Sequence, residues 1–226
     1  MTITDTAMPA TGNATVAPAS NLWLDFETTS LDERTGDIVD VGVIATDFDF
    51  NILTEYATAF QVDADALAAI ASTPVVHEMM QANGLLEEVI AGSIRGDLPT
   101  LVEVERKIVA IIDEFTDPNT KVKVTLSGSG VATFDLRWIK AQMPTLADRL
   151  TYFTHDVGVL RREWKNATGG DLVAVNDAKP HRGIDDIRLH LEEGRAFRQL
   201  FTRVAQAAGG GDLATILAWL DRVAAH

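Results

Sequence analysis

Three short apolar runs follow one another near the start of the chain, and the polar links between them are too short for a helical crossover. Residues 21–28, 38–45 and 55–62 each carry the aliphatic and β-branched residues of a strand. A parallel connection needs about a dozen residues or more, so strands joined by shorter links pair antiparallel. The start of the fold is therefore expected to be an antiparallel meander. Helical periodicity takes over beyond it. Residues 64–70 suit a short helix, and 75–91 suit a helix broken at Asn83-Gly84. Residues 99–115 place Leu101, Val104, Ile108, Ile111, Ile112 and Phe115 on one stripe. A β-branched run at 121–126 predicts a further strand, followed by the turn Ser127-Gly128-Ser129-Gly130. Helices are expected over 135–142, 156–167 and 184–207. Strands first, then helices with an interleaved strand, predict an α/β domain with a mixed central β-sheet flanked by α-helices.

The chain's 226 residues suffice for one such domain, expected over 21–207. Residues 1–20 are rich in Thr, Ala, Pro and Asn, with no basic start and no apolar run. They read as a disordered tail and not as a secretory signal. Residues 208–226 hold a Gly-rich break, then a helix capped by Asp212 with Leu213, Ile216, Leu217, Leu220 and Val223 on one face. No stretch reaches the roughly 18–20 apolar residues of a membrane span, so a cytoplasmic protein is expected.

The chain has no cysteine, which excludes disulfides, thiolate metal sites and cysteine nucleophiles. A metal here must be held by oxygen and histidine, which favours hard ions. The net charge of −14 argues against coating long duplexes by phosphate neutralisation. It leaves room for gripping a few nucleotides through bound cations.

Asp25 and Glu27 stand two apart in the first strand, so alternation puts both carboxylates on one face. Their mutual repulsion calls for a cation. Three further residues follow in order: Asp135 opens a helix after a Gly-rich turn, and His181 and Asp186 lie at the start of a long helix. Taken singly, each has a plain role as a polar face, a helix cap or a dipole partner. Their joint occurrence is harder to explain that way. His181 and Asp186 are five apart, and on one continuous helix they would diverge by about 140°. His181 is therefore expected in the loop before the helix. Asp185 is the rival to Asp186 as the inward carboxylate.

The series Asp25, Glu27, Asp135, His181, Asp186 resembles the DEDDh 3′→5′ exonucleases of the ribonuclease-H-like superfamily, and within them the oligoribonucleases. The resemblance rests on Asp25-Phe-Glu-Thr-Thr-Ser-Leu31, on His77 with Asn83-Gly-Leu-Leu-Glu-Glu-Val-Ile90, on Tyr152 to Trp164, and on His181-Arg-Gly-Ile-Asp-Asp-Ile-Arg188. It implies that Asp25, Glu27, Asp135 and Asp186 hold two divalent ions, Mg²⁺ or Mn²⁺, and that His181 is the general base. It further implies that Thr28, Leu31, His77 and Tyr152 contact short single-stranded RNA or DNA with a free 3′ end. Tyr152 would do so across a homodimer. Leu31 reads equally as a core leucine beside the turn. Trp23 and Trp138 read as core. The same resemblance leaves a proofreading or repair type of DNA exonuclease open, or a non-catalytic domain of the same fold.

The chain departs from the family pattern in places. Ser30 stands where the turn usually has glycine, and Val131, Phe153 and Gly158 stand where oligoribonucleases place polar or basic caps for a 5′ phosphate. These three donate no side-chain hydrogen bond, although Arg161 or Arg162 could compensate. Strict preference for dinucleotides is therefore not expected.

Overall fold

Asn21–Thr28 forms β1, whose alternate residues serve two different cores, and that division organises the whole molecule. The structure, a computed structural model, describes residues 18–117, 122–173 and 181–224. β1 pairs antiparallel with β2 (Ile38–Thr46), which pairs antiparallel with β3 (Ile52–Ala59). On its other side β1 pairs in parallel with β4 (Val124–Gly128), and β4 pairs in parallel with β5 (Leu150–Asp156). The sheet order is β3-β2-β1-β4-β5. The antiparallel meander and the mixed sheet are thus as expected.

Three helices follow β3: α1 (Ala64–Ser72), α2 (Pro74–Ala82) and α3 (Leu85–Arg95). They enclose a small core with Val39 and Ala59. α4 (Leu101–Glu114) starts with a capping box between Thr100 and Glu103, so the helix begins two residues later than Pro99 suggests. Its apolar stripe meets Leu22, Leu24 and Phe26 of β1. α5 (Asp135–Gln142) and α6 (Pro144–Ala147) cover the same sheet face, with Trp138 fully buried. The opposite face carries α7 (Val157–Thr168) and the long α8 (Gly183–Ala208). There Trp23, Ile44, Phe50, Val157, Ile187 and Leu191 form a second core.

β3 lies three residues earlier than expected. The amides of Gln61 and Val62 leave the sheet to bond Pro99 O at 2.8 Å and Ser93 Oγ at 3.1 Å. β5 and α6 were not expected at all. α6 is capped from α4, because Glu105 Oε1 accepts from Thr145 N at 2.7 Å and Leu146 N at 3.0 Å. Residues 1–17 of the expected tail lie outside the described residues, as does residue 121 of the expected fourth strand. At the tail's end, Ala19 N donates to Phe115 O at 2.9 Å and Ser20 N to Thr46 O at 2.8 Å, so these two belong to the fold. The final helix, α9 (Leu213–Ala224), is capped by Asp212 through Thr215 N at 3.0 Å, yet its apolar stripe is exposed. Among the described residues, no helix is long and apolar enough to cross a membrane.

One close approach sets the position of α8. A Cβ on Gly42 would lie 2.1 Å from the Gly183 carbonyl carbon, and one on Gly183 would lie 2.4 Å from Gly42 N. Only glycine on both sides lets the first turn of α8 rest directly on β2.

Candidate active site

The residues of β1 in phase with Trp23 face α8, and Asp25 and Glu27 share that phase. Glu27 is buried, as is Asp186 in the first turn of α8. His181 precedes the helix with φ +48°, a left-handed backbone unusual for a non-glycine residue. One ligand atom from each of Glu27, His181 and Asp186 lies within 4.8 Å of the others. The His181 loop thus folds back as the five-residue spacing requires. Asp186 rather than Asp185 faces the site. Asp185 bonds Arg188 on the helix exterior at 3.3 Å.

Asp135 reaches the same end of β1 from the other side. β1 and β4 pair only from Asn21 to Trp23, so the amide of Phe26 lies beyond that ladder. Asp135 Oδ1 accepts from it at 3.1 Å. Asp25 is half-buried, with its carbonyl against Gly183. Asp135 thus approaches the end of β1 where Glu27, His181 and Asp186 gather, and alternation puts Asp25 on the same strand face as Glu27. The closest group is Glu27, His181 and Asp186.

The expected substrate contacts are more spread out. Thr28 ends β1 just after Glu27, and Leu31 lies on the turn that follows. The Thr28 hydroxyl donates to Ser30 O at 2.7 Å and holds that turn, while Leu31 is 80 % exposed and so is not a core residue. Ser30 replaces glycine without strain, its Oγ accepting from Asp32 N at 3.1 Å. His77 is half-buried on α2. Tyr152 is 92 % exposed on the edge strand β5.

Asp40 was missed. It stands opposite Glu27 in the β1–β2 register and is 1 % exposed. Its carboxylate accepts from Gly183 N at 3.0 Å and from Arg182 Nη2 at 3.3 Å. It thereby caps α8, whose own N-cap residue, Arg182, makes no side-chain cap. A lone charge inside the Val- and Ile-rich run 38–45 was the signal available in the sequence.

The electrostatics follow from this crowding. Burial, then the charges of Asp186, Asp40 and Asp135, push the Glu27 carboxyl up to about 8, against an opposing pull from Arg182. Burial also raises the Asp135 and Asp40 carboxyls above the ordinary range. So many carboxylates around one buried glutamate form an anionic pocket, and their oxygen donors with one imidazole suit a hard divalent cation. The residues present therefore fit such an ion.

No protein-family model matches the chain. Among curated proteins, it is similar to the oligoribonuclease of Mycobacterium sp. (strain KMS), with 30% identity over 208 residues, 88% of this chain and 89% of the relative. The oligoribonuclease of Corynebacterium diphtheriae is 34% identical over 190 residues, 82% of this chain and 85% of the relative. The chain belongs to the oligoribonuclease family. It is a 3′→5′ exonuclease, a phosphodiester hydrolase, and membership in this family implies dependence on divalent metal. Solved structures of exonuclease I resemble it in fold. That of Methylocaldum szegediense has a TM-score of 0.53 at 16% identity, covering 84% of this chain and 43% of that one. The Escherichia coli enzyme in complex with a dA16 oligonucleotide has a TM-score of 0.55 at 13% identity, covering 88% and 45%. The oligoribonuclease-family chain thus spans less than half of either, and the likeness establishes the ribonuclease-H-like fold alone.

Proposed function

We propose that the chain degrades short single-stranded RNA from its 3′ end in the cytoplasm and releases nucleoside 5′-monophosphates. Two divalent ions, Mg²⁺ or Mn²⁺, would be held by Asp25, Glu27, Asp135 and Asp186, with His181 as the general base. The observation that carries this reading is the gathering of Glu27, His181 and Asp186 within 4.8 Å in a member of the oligoribonuclease family. Bound cations would supply counter-charge for the phosphoryl oxygens and acidify water. His181 takes the proton of the attacking water on an imidazole nitrogen. Its exposure lets it pass the proton to solvent. As the water oxygen joins phosphorus, the bond from phosphorus to the 3′ oxygen breaks. The released nucleotide keeps the phosphate, and the departing 3′ oxygen takes a proton from solvent, leaving the shortened chain with a 3′ hydroxyl. Exposed Leu31, on the turn that follows β1, would offer an apolar surface to the terminal base.

Substrate length is read from the cap positions. Val131 is fully buried in the core beneath the sheet, so it cannot face a phosphate. Gly158 has no side chain to offer, and a Cβ there would lie 2.7 Å from Ser129 Oγ, so a larger residue would require that hydroxyl to turn away. Phe153 is exposed and apolar. Of the two candidate substitutes, Arg161 is committed to the buried Glu193, donating from Nε at 2.7 Å, with its Nη1 3.3 Å from Ser129 Oγ, whereas Arg162 is exposed. Loss of two or three charge-assisted bonds, each worth about 1.5–3 kcal/mol, would erase a strong preference for dinucleotides. RNA of roughly two to seven nucleotides is expected to be degraded at comparable rates. A time course on 5′-labelled RNA and DNA of graded length, with metal titrated, tests this. Dinucleotide accumulating from longer chains refutes it, as does DNA cleared faster than RNA.

A homodimer is part of the same proposal. Tyr152 and Phe153 pack edge to face on the exposed edge strand β5, beside a hollow lined by Leu136, Lys140 and Leu150. A two-fold pairing there would carry Tyr152 toward the other subunit. Sedimentation is expected to give a dimer at micromolar concentration. A fully active monomer refutes it, and with it the role of Tyr152 across the interface.

A further inference from the structure

The break between α2 and α3 holds the loop that carries His181. Asn83 ends α2, and Gly84 follows with φ +79°. The Asn83 Oδ1 accepts from Leu85 N at 3.0 Å, which starts α3. Its Nδ2 donates to the carbonyl oxygen of His181. The two partners fix the amide's orientation, since an N–H requires the oxygen and a carbonyl requires the nitrogen. The next residue is held as well. Arg182 bridges Glu88 of α3, Nη1 to Oε2 at 2.9 Å, and the buried Asp40 of β2. His181 keeps an uncommon left-handed backbone, and such a conformation persists only where its surroundings over-determine it. The residue itself is exposed.

We infer that Asn83 is a positioning residue: through its bond to the His181 carbonyl it fixes the backbone from which the imidazole reaches Glu27 and Asp186. This rests on the reading of His181 as the base. A displacement of about 1 Å in a reacting group costs up to roughly 10²-fold in rate, so a hydrogen bond to the loop can matter without touching substrate.

Asn83→Asp separates this role from helix capping. Aspartate keeps an oxygen for Leu85 N but sets a second oxygen against the His181 carbonyl. The expected result is roughly a 10- to 100-fold lower kcat with little change in KM. The melting temperature should stay close to wild type, and amide exchange should quicken at residues 181–186. In a His181→Ala background the same substitution should cost nothing further in kcat. Asn83→Ala, which also removes the donor, should lower kcat if the aspartate variant does not fold. Unchanged kcat in the folded variants, unchanged exchange at 181–186, or an equal loss in the His181→Ala background overturns this inference alone. Full activity in His181→Ala overturns the base reading and this inference together.

Discussion

Glu27→Gln is expected to abolish hydrolysis and, in metal-free protein at pH 8, to raise the melting temperature. The two effects have one cause. Glu27 is 8 % exposed and faces Asp186, Asp40 and Asp135, with only Arg182 opposing, so its carboxyl rises from 4.5 to about 8. An acid whose folded pKa exceeds its unfolded one binds its proton more tightly when folded. Its contribution favours the fold at low pH and is withdrawn as pH climbs from 4.5 to about 8. Metal-free wild type should therefore lose stability across that window, on the order of a few kcal/mol. Glutamine has no proton to release there, so the variant's profile should be flatter. Adding Mg²⁺ or Mn²⁺ should restore wild type far more than the variant, because a cation binds the charged carboxylate. Loss of one carboxylate from such a centre removes several kcal/mol of transition-state stabilisation, or about 10³-fold and more in rate. Thermal melts across pH with and without chelator, beside a rate assay, measure both effects. A variant that hydrolyses at the wild-type rate, or melts below wild type at pH 8 in chelator, rules this account out.

What the sequence disclosed about the fold followed the range of the interactions concerned. β1, β2 and the stripes of α4 and α8 are set by local periodicity, so they were readable along the chain. The division of β1 into Leu22, Leu24 and Phe26 on one side and Trp23, Asp25 and Glu27 on the other is pure alternation. What escaped depends on partners far away in sequence. α6 exists because Glu105, about 40 residues earlier, caps it. β5 has one buried residue and no clear alternation, and its pairing with β4 makes it a strand. The end of β3 is decided by where Gln61 and Val62 find acceptors. At the site, residue types and order pointed to Asp25, Glu27, Asp135, His181 and Asp186, and the structure gathers Glu27, His181 and Asp186 most closely. Asp40 could not be assigned a role from sequence. Its role is to cap a helix 143 residues later, across a contact of two glycines.

His181→Ala is expected to lower kcat by roughly 10²–10⁴ while leaving metal affinity within a few-fold of wild type. The geometry makes this a discriminating experiment, because the imidazole lies in the same 4.8 Å cluster as Glu27 and Asp186. A histidine there can be a ligand or a base. Two features favour the base. The residue is exposed and held by its backbone, whereas Glu27, Asp135 and Asp186 are buried. It also lies outside α8, so its ring reaches in from the solvent side, where a proton can leave. If four carboxylates hold the ions as proposed, they supply the hard oxygen donors that Mg²⁺ or Mn²⁺ prefers, and removing one nitrogen should change binding little. Calorimetric titration of metal into the variant, followed by rates at saturating metal, separates the roles. A base once lost leaves the rate low at every metal concentration, and imidazole added to the buffer should recover part of it. A lost ligand weakens metal binding, and saturating metal then brings the rate back. Recovery of the full rate by metal alone would make His181 a ligand and leave the proton of the attacking water to another group.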